Sequence, residues 1–405
     1  IPAKLTLALP AGISFYTFTV VGYAVDVYHK KLEPEKDFVT YALFVSFFPS
    51  VLMGPIARAG EMLPQYKAEH KFEYGNLVEG LQRFLTGAFK KVVIADGLGV
   101  IVDAVYGSLA DYRGPMLLTA VVFYAVQLYA DFSGYTDMAL GAAKVLGFTL
   151  RENFKAPYLA TDVSDLWTRW HLSLTTWLTD YIFTPLVWSR WYDKLAHKKD
   201  WEQRAPSFGA NILIVFLLSG LWHGAGLTFI LWGLANGAAR CAEDALQRAR
   251  KRRGVKKKKR APFCLINNLG RVYVFVFWAL SLVLFRSATL ADASYVFKNM
   301  FGLSGASVYV EQLLHLCSNG ISSSKVYLLL YIVCIAGGIV LMTAFDARIY
   351  RSSLKGQTLC MNPLGQYKLV PRWLLYWFMG LATAMFFLIG SSGLSTSSQF
   401  LYQGF

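Results

Sequence analysis

Two histidines occupy settings in which an imidazole is expensive to keep. The first is His223, in Ser219-Gly220-Leu221-Trp222-His223-Gly224-Ala225-Gly226, inside an apolar run that begins at Ile212 and resumes at Leu227. An ionisable ring at membrane depth is costly and normally faces a cavity or a partner. The flanking glycines remove side-chain bulk and let another molecule approach the ring. The second is His171, in Trp167-Thr168-Arg169-Trp170-His171-Leu172-Ser173. A neutral imidazole can take the proton of a hydroxyl as that oxygen attacks an acyl carbon. A companion ring could orient the first, hold the acyl donor or stabilise the developing oxyanion. The chain has no Gly-x-Ser-x-Gly elbow, so direct transfer assisted by histidine is simpler than a covalent intermediate. The plainer alternative is a structural ring bonded to a backbone carbonyl, or, for His171, a polar residue of a Trp-rich interfacial helix. His29, His70, His197 and His315 lie in charged or loop segments and read as solvated surface.

The elements that must position these rings are membrane elements. The chain has 405 residues, 55% hydrophobic, 16% aromatic and only 16% charged, with a mean hydropathy of +0.39. Soluble globular proteins carry about 25% charged residues, so this is an integral membrane protein. Its long apolar runs lack the alternation of an outer-membrane barrel. The five cysteines (Cys241, Cys264, Cys317, Cys334 and Cys360) are scattered, with no CxxC and no metal spacing, which argues against a disulfide framework or a metal site. Of the net charge of +15, ten Lys or Arg residues fall between Arg248 and Arg260 without one acid. Nucleic-acid binding is an improbable reading beside membrane helices. A surface for lipid headgroups or donor phosphates is a second reading, and a cytoplasmic loop obeying the positive-inside rule is the simplest. The start at Ile1, directly before an apolar stretch, suggests that further N-terminal helices precede it.

Along the chain, spans are expected at about Leu5–Tyr28 and from Phe38 to about Ile56. Amphipathic helices are expected over 72–107, and a strong span from Met116 to about Leu128. The polar stretch Tyr129–Asp137 then reads as an interruption before helix resumes through Leu146. From Val163 to Tyr181, Val163, Trp167, Trp170, Leu174, Trp177, Leu178 and Tyr181 recur at helical spacing and form one apolar stripe. Asp162 is a plausible N-cap. So polar a helix belongs along the interface or inside the bundle, with His171 on the flank of its stripe. The loops Arg190–Arg204 and Arg248–Arg260 are both basic. If both are cytoplasmic, the run from Asn211 to about Leu246 must enter and return, and it is short for two spans of ~20 residues each. A break at Gly224-Ala225-Gly226 would put His223 at the apex of a re-entrant pair, where about a dozen residues rise ~18 Å, roughly to mid-bilayer. Broken backbone at that depth is tolerated only inside protein or along a cavity. Further spans follow at about Val272–Phe285, Val326–Phe345 and Trp373–Gly390, with 287–323 external and 346–371 internal. The expected class is all-α: a polytopic transmembrane bundle with broken, re-entrant and interfacial helices around a central cavity.

Other polar groups at depth are Asp131 and Asp137, which could line a substrate path, pair with Lys144 or Arg58, or cap a helix break. Gly54-Pro55-Ile56-Ala57-Arg58 reads as a helix terminus with an anchoring arginine.

Several separated segments together carry a resemblance. They are Asn153-Phe154-Lys155-Ala156-Pro157-Tyr158, Asp165-Leu166-Trp167-x-Arg169-Trp170-His171-x-Ser173-Leu174 and Leu221-Trp222-His223-Gly224-Ala225. Gly12–Phe18, Gly54–Arg58, Asp131–Met138 and Trp278 through Leu284-Phe285-Arg286 support them. In this order they resemble the membrane-bound O-acyltransferase family, and within it the bacterial branch typified by the membrane subunit of alginate O-acetylation. The likeness covers nearly all of residues 1–405, read as one membrane domain with a basic cytoplasmic loop at 248–260. It implies that His223 is catalytic and His171 the second functional histidine, with Trp170, Trp222, Asp131, Asp137, Asn153 and Arg58 expected near substrate. It implies transfer of an acyl group, acetyl in this branch, from a cytoplasmic donor such as acetyl-CoA onto an extracytoplasmic polysaccharide acceptor. An extracytoplasmic hydrolase-like transferase would be its partner, in the inner membrane of a bacterium, with no metal, no permanently bound cofactor and no nucleic acid. D-alanyl transfer to teichoic acid is a sister reading. It is less favoured because the Leu284-Phe285-Arg286 region and the tail Phe400–Phe405 resemble the acetyltransferase branch. A transporter or a non-catalytic scaffold are the readings from other classes.

Overall fold

The computed structural model describes residues 12–189, 205–254, 263–302, 306–320, 324–354 and 363–389. Among these, helices are the only regular structure: α1 (Ile13–Tyr28), α2 (Phe38–Ser46), α3 (Phe48–Val51), α4 (Ala59–Lys67), α5 (Tyr74–Phe89), α6 (Asp96–Gly107), α7 (Pro115–Val145), α8 (Val163–Trp167), α9 (Leu172–Leu178), α10 (Thr184–Val187), α11 (Ala205–His223), α12 (Leu227–Arg252), α13 (Leu265–Arg286), α14 (Leu290–Asn299), α15 (Ala306–Gly320), α16 (Lys325–Leu354) and α17 (Leu369–Ile389). Four of them, α7, α13, α16 and α17, are long and apolar enough to cross a membrane. The loop at 190–204 with His197, the basic residues 255–260 and the tail 400–405 lie outside the described residues.

Three expected elements are built differently. The span expected to reach Ile56 ends at Ser46, and the chain turns at Phe47 into the short α3, which has Pro49 in its first turn. The segment 72–107 is one helical path in which a π-helical turn, Lys90–Ala95, joins α5 to α6. The stretch Tyr129–Asp137 does not interrupt α7, which runs 31 residues through it.

That helix stays whole because its carboxylates meet countercharges from inside the bundle. Asp131 lies 2.8 Å from Lys91, and Asp137 lies 2.7 Å from Lys90 and 3.0 Å from Arg83, which also binds Glu152 at 2.5 Å. The partners expected from sequence are engaged elsewhere, Lys144 with Glu79 and Arg58 with Asp180. Backbone proximity makes these pairs possible. A Cβ on Gly141 would fall 2.6 Å from the Gly80 carbonyl oxygen, and one on Gly134 would fall 2.8 Å from that of Gly87. Two glycines seven residues apart on each helix thus let α5 and α7 run antiparallel at close range, as small residues do in membrane helix pairs. The π turn falls beside this seam, and from it the consecutive Lys90 and Lys91 both reach α7 carboxylates six residues apart. On an α-helix they would diverge by about 100°.

The helix pair expected around His223 forms as an antiparallel hairpin, with α11 and α12 separated by Gly224–Gly226. Contacts keep one register: Gly220 meets Phe229, Gly233 meets Phe216, Gly237 meets Leu213 and Cys241 meets Gly209. A side chain at Gly220 or Gly233 would drive into the facing backbone. The ascending arm has 19 residues, about 28 Å at 1.5 Å per residue, so it rises further than the dozen expected.

Long-range bonds mark the two ends of the bundle. At one end Arg286 binds Asp103 at 2.7 Å, and the Gly114 amide donates to Asn299. At the other, Arg271 donates to the Leu159 carbonyl, and Phe263 packs on Tyr350 beside the basic end of α12. Outside the apolar spans, the Lys67 ammonium, 2.6 Å from Glu35, holds that carboxyl below the usual range and ties the α1–α2 turn to α4.

Candidate active site

The Trp-rich segment is not one helix. Asp162 caps α8 as expected, accepting from the Asp165 amide at 2.8 Å, but the helix stops at Trp167 and resumes at Leu172. His171 is the hinge. Its φ of 45° is left-handed, one of three such non-glycine residues among those described, and Ala156 at 50° is another. Such conformations cost roughly 1–3 kcal/mol each and persist where surrounding structure over-determines them. A clamp between the two motifs does so here. The Leu172 amide donates to the Asn153 carbonyl at 2.9 Å, the Ser173 amide to Asn153 Oδ1 at 3.1 Å, and the Lys155 amide to the Arg169 carbonyl at 3.0 Å. Arg169 closes the clamp by donating to the Lys155 carbonyl at 3.1 Å and to Asp165 at 2.7 Å. Ser173 Oγ in turn accepts the Ile56 amide at 3.0 Å, so Gly54–Arg58 braces the same turn.

The break turns the His171 ring inward. It is 2% exposed, edge-on to Phe132 at 4.6 Å, stacked near Phe15 at 6.4 Å and 6.4 Å from Trp222. Both its nitrogens are buried without a hydrogen-bond partner among the described residues. Buried polar atoms in folded proteins are nearly always satisfied, so two such nitrogens suit an incoming polar group.

His223 is the last residue of α11 and is 4% exposed. Its ring lies 4.6 Å from Trp222, 4.9 Å from Phe285, 5.3 Å from Trp232 and 6.5 Å from Phe229. Trp222 therefore touches both histidines, which come from elements about fifty residues apart in sequence. Phe285 precedes Arg286, so His223 sits toward the end of the bundle opposite the basic segment.

The other expected site residues divide. Trp222, half-buried, sits between the rings. Trp170 is 2% exposed and enclosed by Trp278 at 4.9 Å, Phe154 at 5.1 Å and Tyr129 at 6.0 Å, which makes it part of the packing beneath them. Asn153 spends its carboxamide on the clamp, donating also to Thr136 at 3.4 Å. Asp131 and Asp137 are ion-paired on α7. Arg58 stands at the start of α4, 2.8 Å from Asp180 and 4.5 Å above the Tyr181 ring, the anchoring role its motif suggests. It also lines a polar recess of about 320 Å³ with Lys31, Arg151, Asp180 and Tyr181.

Sequence reasoning missed Glu243. From α12 it accepts the Val163 amide at 2.8 Å and the Ser164 amide and hydroxyl at 2.9 Å. A carboxylate at a helix N-terminus is well placed, and this one ties the His223 hairpin to the His171 segment. An acid next to Asp244 and eight residues before Lys251 looks like part of a charged face, so only the fold reveals it.

Asn153→Ala removes the acceptor that fixes Ser173. A hydrogen bond contributes ~1 kcal/mol, and more when its partner is left buried and unsatisfied. The variant is expected to remain folded in the membrane and to lose at least about tenfold in turnover, with substrate KM little changed. Wild-type turnover would remove Asn153 from the positioning of His171.

Residues 30–287 match the model of the membrane-bound O-acyltransferase family. The chain is 34% identical over 330 residues to the peptidoglycan O-acetyltransferase of Helicobacter pylori, covering 75% of this chain and 59% of that protein. It is 35% identical over 301 residues to the probable alginate O-acetylase of Pseudomonas aeruginosa, covering 74% and 53%. To the teichoic acid D-alanyltransferase of Bacillus subtilis it is 29% identical over 225 residues, covering 55% and 56%. The chain thus spans about half the length of the curated relatives it matches.

Proposed function

The chain belongs to the membrane-bound O-acyltransferase family, and on that premise we propose that it O-acetylates an extracytoplasmic polysaccharide, with His223 as general base. The observation that carries this reading is the convergence of His171 and His223 on Trp222 inside the protein, at the apex of a broken helix pair. The ring lies toward the end of the bundle opposite the basic segment, the side from which an extracytoplasmic acceptor would approach.

In the proposed reaction the acceptor hydroxyl gives its proton to a nitrogen of His223 while its oxygen attacks the thioester carbonyl. The imidazole of His171, donating through one ring N–H, stabilises the oxyanion. Collapse breaks the C–S bond, and the thiolate recovers the proton from His223, giving ester and free thiol. General base catalysis of this kind contributes about 10²–10⁴-fold.

Acetyl-CoA is the donor this reading favours, entering from the end that carries the basic segment. The Arg58 recess supports that side. It adjoins Arg151, beyond the C-terminus of α7, whereas the N-terminus of α7 lies at the Arg286 end. A bacterial inner-membrane location, residues 1–405 as one domain, and an extracytoplasmic hydrolase-like partner that completes transfer to the polymer belong to the same proposal. The polymers in the relatives' names, alginate and peptidoglycan, define the acceptor class to try first.

The test is transfer by the purified full-length protein in detergent, supplied with labelled acetyl-CoA and either polysaccharide, with and without the hydrolase-like partner. Acetyl ester formed without a sealed compartment is the expected result. Label that only crosses the wall of sealed vesicles would support a transporter instead. A D-alanyl carrier outcompeting acetyl-CoA would move the protein to the teichoic acid reading.

A further inference from the structure

The rings around His223 do more than bury it. Phe285, Trp232 and Phe229 all stand around the imidazole, and Phe285 packs on both of the others: Phe229 lies 5.2 Å from Phe285, and Trp232 lies 5.2 Å from it. Phe285 and Trp232 stand edge-on to His223, at interplanar angles of 74° and 89°, while Phe229 lies nearly parallel at 29°. Phe229 and Trp232 come from α12 and Phe285 from α13, so they form a wall that no single helix provides.

The position of Phe229 is fixed by the break itself. A Cβ on Gly224 would fall 2.7 Å from two carbons of the Phe229 ring. Glycine at 224 therefore lets Phe229 fold back over the histidine, and the Phe229 amide is held by the Gly226 carbonyl at 3.1 Å.

We propose that Phe229 and Phe285 are the acyl-length filter of this enzyme, closing the space beside His223 so that a two-carbon acyl group fits and longer ones do not. The inference rests on the acyltransferase reading, because only then does an acyl carbonyl stand within reach of the His223 nitrogen. An acyl group lengthened beside the His223 nitrogen would have to find room among these rings. Rings in mutual contact have little room to part without losing packing. A pocket of this kind discriminates about 10–200-fold per methylene. Phe229 is the better handle, since it is only partly buried, whereas Phe285 is 3% exposed.

The experiment compares acetyl-CoA with butyryl-CoA as donors for the full-length protein in detergent, reading kcat/KM for each. Wild type is expected to favour acetyl by more than about tenfold. Phe229→Ala should raise the butyryl-to-acetyl ratio at least tenfold, and Phe229→Leu and Phe285→Leu, which leave smaller voids, should shift it in the same direction. Phe378→Leu, whose ring packs on Phe89 away from the hairpin, should keep the wild-type ratio. If the alanine variant does not fold, the two leucine variants decide. The filter is overturned if wild type uses both donors equally. It is equally overturned if acetyl transfer persists in the variants with an unchanged ratio, or if Phe378→Leu shifts the ratio as much as the wall variants do. Wild type that transfers neither acyl group would instead refute the acyltransferase reading on which the filter rests.

Discussion

His223→Ala in the full-length protein is expected to lower acetyl transfer by about two to four orders of magnitude, the range assigned to a positioned general base. Membrane abundance should remain close to wild type. The ring leaves a void among Trp222, Trp232 and Phe285, and truncation in a packed core destabilises by a few kcal/mol at most. His223→Gln, which fills more of that void, separates the two effects: it should regain stability without regaining rate. The measurement is turnover per folded molecule, counted by size-exclusion in detergent. Normal polymer acetylation by the alanine variant at normal abundance would leave His223 a structural residue. The protein would then serve as a scaffold or a transporter.

The second large effect is on stability and lies away from the histidines. Asp137 is buried on α7 between Lys90 and Arg83, and removing one partner of a buried ion pair costs ~3–5 kcal/mol because the other charge is left uncompensated. Arg83 keeps Glu152, so Lys90 bears the loss. Asp137→Ala should therefore lower the unfolding midpoint in detergent sharply, or deplete the protein from the membrane. The double variant Asp137→Leu with Lys90→Met should recover most of that stability, since well-packed apolar pairs replace buried ion pairs at little cost. If the double variant were no more stable than the single, the pair would matter for something other than charge balance, and substrate contact by Asp137 would return as its role.

Both predictions turn on how differently these two sites were written in the sequence. His223 was legible: a histidine in an apolar run, bracketed by glycines, with basic segments on both sides that, taken as cytoplasmic, make the chain enter and return. The hairpin follows from that pattern, and its glycines stand where the arms must touch. Asp137 was visible as a polar residue at depth, but its meaning was not. Tyr129–Asp137 looked like a broken helix because its cost was reckoned against lipid, whereas the countercharges come from α5 and the π turn, forty or more residues earlier. The same limit applies to His171. Periodicity placed it on the flank of one continuous helix, because a stripe of Trp and Leu has the same spacing whether or not a turn interrupts it. The left-handed φ that makes His171 a hinge is imposed by hydrogen bonds to Asn153 and from Lys155, and no local propensity records those.

Composition and hydropathy by themselves determined the solvent of this protein, its helical class and the placement of its main spans, because the membrane penalises every unpaired polar group in a way that leaves long apolar runs behind. The two histidines and the motifs around them determined the family and the chemistry to look for. The tertiary structure alone decided which charges neutralise one another, that Asn153 and Glu243 hold the two histidine segments, and that Trp222 joins the rings. It also decided that Phe229 and Phe285 wall His223. These are contacts between residues far apart in sequence, whose energies depend on distances of a few ångströms. Periodicity fixes which face of a helix a residue takes; packing fixes what that face meets.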